Sequence, residues 1–429
     1  MPEIKPFRGL IYNPDVVKIE DVVAPPYDVI SPAMQNELYN ASPYNIVRLI
    51  LGREEDRYAS AAQSLAAWRA ANILHADRDR SLYVVAQSFA LPDGRQVERR
   101  GFIAACQLED IGKGSIYPHE KTLSKPREDR FKLFQATGVM FSQIFGLYSD
   151  PELRGDSMLD SACTASPLYD VTFDKVRNRV WRVTDERLTH QITEFIRHQR
   201  ILIADGHHRY ETALQYRDSA RMKNPNHTGK EPYNFVPMFF TNMNAPGMVI
   251  FPTHRLLHSL PVFVQNDFLA TLSKYFTTEK CLSREALMEK LRRERAHSFG
   301  LVLPNDPRFV MIKLRDLEAV RQLMHVHEAV AGLDVNILHQ FIFKHLLNIS
   351  EEAQEKKLYL EYEKDEANAS DAVRSGRAQA AFLMNPPPLE QVRSISSLGL
   401  VMPQKSTYFY PKLLSGLVGY SFVSLDDNA

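Results

Sequence analysis

The order of apolar and polar positions changes character several times along the chain. The first 50 residues show no steady period and carry Pro2, Pro6, Pro14, Pro25, Pro26, Pro32 and Pro43. Prolines this dense forbid continuous helix and favour extended pieces joined by turns. Over 54–73, Tyr58, Ala62, Leu65, Ala66 and Trp68 recur at roughly helical spacing, which predicts a helix. Apolar runs at 81–91 and 96–106 flank Pro92-Asp93-Gly94-Arg95, the signature of a hairpin. A helix over 127–138 and a strand over 142–148 follow. A second hairpin is expected over 168–183, turning near Val176-Arg177-Asn178, then a helix over 188–198.

Residues 200–204 read as a short strand that runs at once into a helix over 210–221. Asn224-Pro225-Asn226-His227-Thr228-Gly229 reads as a turn-rich loop, and 235–242 as a buried strand. Beyond about 260 the pattern shifts to longer amphipathic helices with a few strands, at 309–314, 357–362 and 379–384. A boundary near 260 therefore divides the chain into 1–260 and 261–429, two domains being ordinary for this length. No repeat of 20–50 residues and no low-complexity tract is visible.

Composition narrows the function classes without choosing one. The 429 residues hold 52 Lys+Arg against 52 Asp+Glu, so no overall field draws the chain to nucleic acid or an acidic membrane. Cys106, Cys163 and Cys281 are odd in number and far apart, which fits neither a disulfide framework nor a thiolate zinc site. No apolar run approaches the roughly 18 residues a spanning helix needs, and Met1-Pro2-Glu3-Ile4-Lys5-Pro6 lacks the order of a signal peptide. A cytoplasmic protein without membrane or nucleic-acid partners is expected.

Candidate chemistry concentrates in three segments. In the sharpest, the strand ending at Asp205 meets Gly206, His207, His208, Arg209 and Tyr210 at a helix start. The first helical turn has N–H groups without intrahelical partners, and the helix dipole makes that end positive. Gly206 allows close approach of a ligand, while His207, His208 and Arg209 add donors. Cations at a helix start oppose the dipole unless an anion compensates them, which points to a phosphate site. The bland alternative is Asp205 as helix N-cap. A zinc site at His207-His208 fits poorly, because adjacent helical side chains diverge by about 100°.

The second segment, 116–130, gathers His119, Glu120, Lys121, Thr122, Lys125, Arg127 and Arg130 around Pro118 and Pro126. Its cations could neutralise a phosphate, and Glu120 or His119 could take a proton from an attacking hydroxyl. A solvated loop with Glu128 and Asp129 opening a helix is the plain alternative. The third, 399–412, offers Lys405, Ser406 and Thr407 ahead of Tyr408-Phe409-Tyr410, which also reads as an ordinary buried strand. His254-Arg255 and His339 are discounted as structural. GxSxG, Walker A and GxGxxG patterns are absent.

Four ordered motifs resemble a prokaryotic family, the domain of unknown function numbered ten-fifteen: Pro6-Phe7-Arg8-Gly9 with Ala24-Pro25-Pro26-Tyr27-Asp28, His119-Glu120-Lys121-Thr122, Asp205-Gly206-His207-His208-Arg209-Tyr210, and 402–412. More distantly, Asp205–Arg209 is similar to the phosphate-binding helix start of the ParB/sulfiredoxin-like superfamily, which includes free-serine kinases with an Asp-Gly-His-x-Arg motif. That resemblance implies an α+β fold: a ParB/sulfiredoxin-like nucleotide-binding core with inserted β-hairpins and a mixed α/β C-terminal domain. The motif lacks the cysteine of sulfiredoxins, and no basic recognition helix like that of ParB proteins is visible.

Taken together, these residues lead to the expectation of a nucleotide-dependent small-molecule kinase using ATP or ADP with Mg2+ on serine or a related hydroxy acid. Gly206, His207, His208, Arg209, Lys121, Thr122 and Arg130 would hold phosphate. Glu120 would be general base, with Asp205 the competitor or a magnesium ligand, and His119 a second group able to take the hydroxyl's proton. Arg8, Asp28 and Lys405 would hold the acceptor. A non-catalytic nucleotide-binding regulator and, further off, a metal-dependent hydrolase using His119, Glu120, His207 and His208 are the alternatives.

Overall fold

The computed structural model describes residues 1–120, 124–304 and 306–425, a mixed α/β chain. These fall into two compact units, one of residues 1–118, 124–249 and 411–425, the other of 119–120 and 250–410. The change of unit thus lies at 249/250, against the expected 260, and the C-terminal segment returns to the first unit. Among the described residues, no helix is long and apolar enough to cross a membrane.

The first unit is built on a nine-stranded sheet: β1 (Ile4–Lys5), β2 (Leu82–Ala90), β3 (Gln96–Gln107), β4 (Ile116–Tyr117), β5 (Ile144–Tyr148), β6 (Tyr169–Phe173), β7 (Val176–Val183), β8 (Ile201–Asp205) and β9 (Phe235–Asn242). Its order is β4-β8-β5-β9-β3-β2-β7-β6, with β1 also on β3. The β2–β3 hairpin forms where the sequence places it, with Gly94 at positive φ closing the turn. Residues 82–87 and 101–106 are buried throughout, so both strands read as apolar runs rather than alternations. Strands β3 and β9 lie so close that a Cβ at Gly101 would sit 2.3 Å from the Phe240 carbonyl oxygen.

The second hairpin turns two residues earlier than expected. Asp174 and Lys175 take φ of 45° and 63°, the handedness that suits a two-residue hairpin turn. Asn178, which the sequence reading placed in the turn, is instead buried in β7, its amide oxygen accepting from Gln87 at 2.8 Å.

The helices of this unit include α1 (Pro32–Ala41), α2 (Arg57–Ala70), α3 (Ser124–Thr137), α4 (Glu186–Arg197) and α5 (His207–Lys223). The prolines of the first 50 residues do not exclude α1, because Pro32 occupies its first turn, where a missing N–H costs nothing. Ser31, Asp56 and Asp185 cap α1, α2 and α4 through their side chains.

In the second unit a six-stranded sheet holds β10 (His254–Leu257), β11 (Phe276–Cys281), β12 (Ser298–Val302), β13 (Phe309–Leu314), β14 (Leu360–Glu363) and β15 (Ala380–Leu383) in the order β11-β13-β12-β15-β10-β14. The expectation of long helices with few strands gives way to this antiparallel sheet. Edge strand β11 was hard to see, since only Phe276 and Cys281 at its ends are buried while Thr277–Lys280 face solvent. Helices α6 (Arg284–Glu294) and α7 (Glu366–Arg374) pack Leu287, Leu291 and Val373 against Leu256, Val302 and Leu383.

The same unit buries Arg255 completely. Its Nε donates to Nε2 of His339 at 3.1 Å, and Nη2 donates to the Lys405 carbonyl at 3.1 Å. His339 must then be neutral, accepting at Nε2 and donating from Nδ1 to Gln354 at 2.7 Å. Burial and the Arg255 charge lower its pKa from 6.5 to about 3. An unfolded His339 takes up a proton near 6.5, whereas the folded one does not until about 3. The stability it contributes is therefore complete above pH 6.5 and lost as pH falls toward 3. Urea midpoints followed across that window should drop with acidification, and less steeply in His339→Gln.

Candidate functional site

Three β-branched or apolar residues, Ile201, Leu202 and Ile203, carry β8 through the interior to Asp205. The pairing of β8 with β5 shifts register between Ile203 and Asp205, an irregularity of the kind that re-aims a side chain at a strand end. Gly206 follows with φ 92° and ψ 24°, and α5 starts at His207 without a side-chain cap. A Cβ at Gly206 would meet the Arg209 guanidinium at 3.1 Å, so both conformation and space favour glycine there.

Asp205 does not cap the helix. Its Oδ2 accepts from Arg209 Nη2 at 2.5 Å across one helical turn, and its Oδ1 accepts from Lys412 Nζ. Arg209 is buried and also donates Nη1 to the Gln143 carbonyl at 2.5 Å. A third cation bears on the same carboxylate. Arg99 on β3 is fully buried, donates to the Gln87 side chain and to the Pro411 carbonyl at 2.5 Å, and lies 4.6 Å from the Phe145 ring centroid. Burial lowers its pKa to about 9, with the Asp205 charge acting against the shift, so Arg99 stays cationic at neutral pH. Arg99, Arg209 and Lys412 thus converge on one carboxylate, at the end of a 17-residue helix whose dipole adds positive charge.

Around this centre, His207 is buried and His208 half-buried in the first turn of α5. Thr212 Oγ1 donates back to the His208 carbonyl at 2.6 Å. The Pro25-Pro26-Tyr27-Asp28 segment arrives beside it. Burial raises the Tyr27 hydroxyl's pKa, and the charges of both Arg130 and Arg209 bear on it. Arg130 stacks on the Tyr27 ring at 4.0 Å, donates to the Ile50 carbonyl at 2.7 Å, and pairs with Asp129. Asp129 also accepts from Arg57 and, at 2.8 Å, from Tyr58. Burial would raise the Asp129 carboxyl, yet Arg130 and these hydrogen bonds hold it below its ordinary value. Arg127 pairs with Glu211 on α5 at 2.7 Å.

The other residues singled out in the sequence are dispersed. Lys121 and Thr122 lie outside the described residues, as does the side chain of Lys125. Asp28 is exposed in a single turn over Tyr27–Val29. Arg8 donates Nε to the Asp77 carbonyl at 2.8 Å and lines a separate cleft of the first unit.

His119, Glu120 and Lys405 belong to the second unit, where two motifs almost 290 residues apart meet. Buried His119 lies with Nε2 2.8 Å from Thr407 Oγ1. The Met402 N–H donates to the His119 carbonyl at 2.7 Å, and the Lys405 N–H donates to Glu120 Oε1 at 2.6 Å. The acceptor trio Arg8, Asp28 and Lys405 is therefore divided between two units. Among the described residues, no three His, Cys, Asp or Glu side chains gather as a metal site, so the four residues of the hydrolase alternative do not form one.

Sequence reasoning passed over Arg99, Lys412 and Gln143. Lys412 stood within a motif already singled out. Arg99 had a signal of its own, a charged residue on a strand whose continuation is apolar, which asks for a buried partner.

A family model described as a protein of unknown function, DUF1015, matches residues 4–336. No curated protein matches the chain. Among solved structures, a free serine kinase in complex with AMP is similar at 15% identity, covering 75% of this chain and 99% of its own, with a TM-score of 0.37. A conserved hypothetical protein from Pyrococcus furiosus has 15% identity, covers 73% and 93%, and has a TM-score of 0.36. The C-terminally truncated SbnI of Staphylococcus aureus has 11% identity, covers 71% and 83%, and has a TM-score of 0.35.

Proposed function

Because the chain belongs to DUF1015, a family whose function is unknown, we propose its activity from the chemistry of the Asp205–Arg209 turn: a nucleotide-dependent phosphotransferase acting on a small hydroxylated metabolite such as free serine or a related hydroxy acid. One observation carries the reading. Three cations bear on a single carboxylate at a helix start without a side-chain cap, a concentration of positive groups of the kind that suits phosphate oxygens. A ParB/sulfiredoxin-like core, with the Asp-Gly-His-x-Arg pattern on Asp205, Gly206, His207 and Arg209, is part of the same proposal.

The residues divide the work by what they offer. In this reading, the backbone N–H groups of the first turn, which have no intrahelical partner in any α-helix, would serve as the phosphate donors. Lys412 brings an ammonium to the turn, where its Nζ donates to Asp205. Arg209 is held by Asp205 and the Gln143 carbonyl, so it acts as a fixed charge beneath the turn rather than a reaching arm. A nucleotide, ATP or ADP with Mg2+, would supply the transferable phosphoryl group. Phosphoryl transfer asks the protein mainly for positioning and charge neutralisation, and Glu120 is assigned the acceptor's proton.

Calorimetric titration of the whole chain with ADP and with MgATP tests this. Micromolar-range binding is expected, weakened roughly tenfold in Lys412→Gln by the loss of one charge-assisted hydrogen bond. Absence of nucleotide binding by the unsubstituted protein would sink the proposal. Binding without phosphoryl transfer to any amino or hydroxy acid would leave a nucleotide-binding regulator instead.

A further inference from the structure

A cavity of about 310 Å3 lies within the second unit, bordered by the stretches 326–340, 351–362 and 399–404. That volume falls at the lower end for small-molecule sites, about 300–1,000 Å3. One wall is unusual in its backbone. Ile337–Leu346 is a π-helix of 10 residues, and at its end the Leu347 N–H donates to the Ile342 carbonyl at 3.0 Å. π-Helix is rare, arises mostly as single turns, and is frequent at functional sites. Here it brings His339 and Gln340 to the cavity.

The buried part of the wall is fixed by bonds already made. Gln354 donates Nε2 to the carbonyls of His339 at 3.1 Å and Ile349 at 2.9 Å, while its Oε1 accepts from His339 Nδ1. Buried Asn336 donates Nδ2 to the Val330 carbonyl at 2.7 Å. Held this way, the wall does not have to be ordered by a ligand. Val326, Val330, Leu400, Val401 and Met402 add apolar surface beside it.

Among the described residues of the lining, none is Lys or Arg. Arg255, which bonds His339 from behind, is held by that imidazole and by the Thr253 and Lys405 carbonyls. Glu351 and Glu355 line the cavity but are exposed, where water screens a carboxylate, and Glu351 is paired with Lys344 at 2.6 Å. Neither an anion nor a cation therefore meets a desolvated counter-charge in the lining. Carboxamides recur there instead, on Asn336, Gln340, Gln354 and Gln404, each joining an acceptor to two donors. We propose that this cavity binds a small uncharged molecule carrying a carboxamide on an apolar, ring-sized frame. The assignment does not depend on the nucleotide reading.

Benzamide, benzoate and benzamidine are probes of one shape and different charge. Each is titrated into the full chain with isotope-labelled methionine methyl groups. The reporter is the NMR signal of the Met402 methyl, a lining residue, assigned by its loss in Met402→Leu. Benzamide should shift it with a millimolar-range Kd, ordinary for a ligand of about nine heavy atoms. Benzoate and benzamidine should bind at least about tenfold more weakly. Gln340→Leu removes a carboxamide at a half-buried position and should weaken benzamide roughly fivefold, the worth of one hydrogen bond. Leu400→Trp, also at a half-buried position, brings an indole into the space and should abolish the response. Melting temperatures without probe establish that both variants are folded. No response to benzamide, tighter binding of either charged probe, or equal binding by the unsubstituted protein and Leu400→Trp overturns the proposal. The nucleotide titrations with Lys412→Gln concern other residues, so the two proposals fail separately.

Discussion

Asp205→Asn should destabilise the protein by about 3 kcal/mol, the lower end of the cost of removing one partner from a buried ion pair. The lower end is apt because the Asp205 side chain retains 17% exposure. The substitution keeps shape and removes charge, leaving Arg99, Arg209 and Lys412 to face one another without the carboxylate that joins them. Urea denaturation measures the loss. Inorganic phosphate should then stabilise the variant more than the unsubstituted protein, because the site gains positive excess. A loss below about 1 kcal/mol would mean the cluster is compensated elsewhere. Equal phosphate stabilisation of the two proteins would remove the charge argument for a phosphate site.

What could be read from the sequence depended on the range of the interaction. The β2–β3 hairpin and strand β9 were visible because their signals are local: an Asp-Gly turn between apolar runs, and the six apolar residues Phe235–Phe240 in a row. The turn between β6 and β7 was misplaced because two residues without glycine, Asp174 and Lys175, take positive φ. Strand β11 escaped because its buried residues stand only at its ends. The strand-to-helix junction at Asp205 and Gly206 was legible, but the use of Arg209 was not. Spacing shows that Arg209 lies one turn from Asp205. It does not show that Gln143 and Lys412, 66 and 207 residues from the atoms they bond, complete the arrangement. In the same way the pairing of His119 with Thr407 and of Glu120 with Lys405 spans 288 and 285 residues. Motifs told which segments carry chemistry, while topology decided which of them share a unit.

Glu120→Gln should lower kcat for phosphoryl transfer by roughly 10²–10⁴-fold, the usual worth of a positioned general base, while nucleotide affinity changes less than about twofold. The amide keeps an oxygen to accept the Lys405 N–H that Glu120 now binds at 2.6 Å, so the local chain path should survive. What disappears is the carboxylate's ability to take a proton. The Glu120 charge also helps to keep buried Arg255 cationic, after Tyr362, so some stability should be lost as well. The two effects separate by measurement. If Glu120 only offsets Arg255, turnover should recover at temperatures where the variant is fully folded, and the pH–rate profile should keep its shape. If Glu120 is the base, turnover stays low in the folded variant, and the acid limb of the profile disappears with the carboxylate.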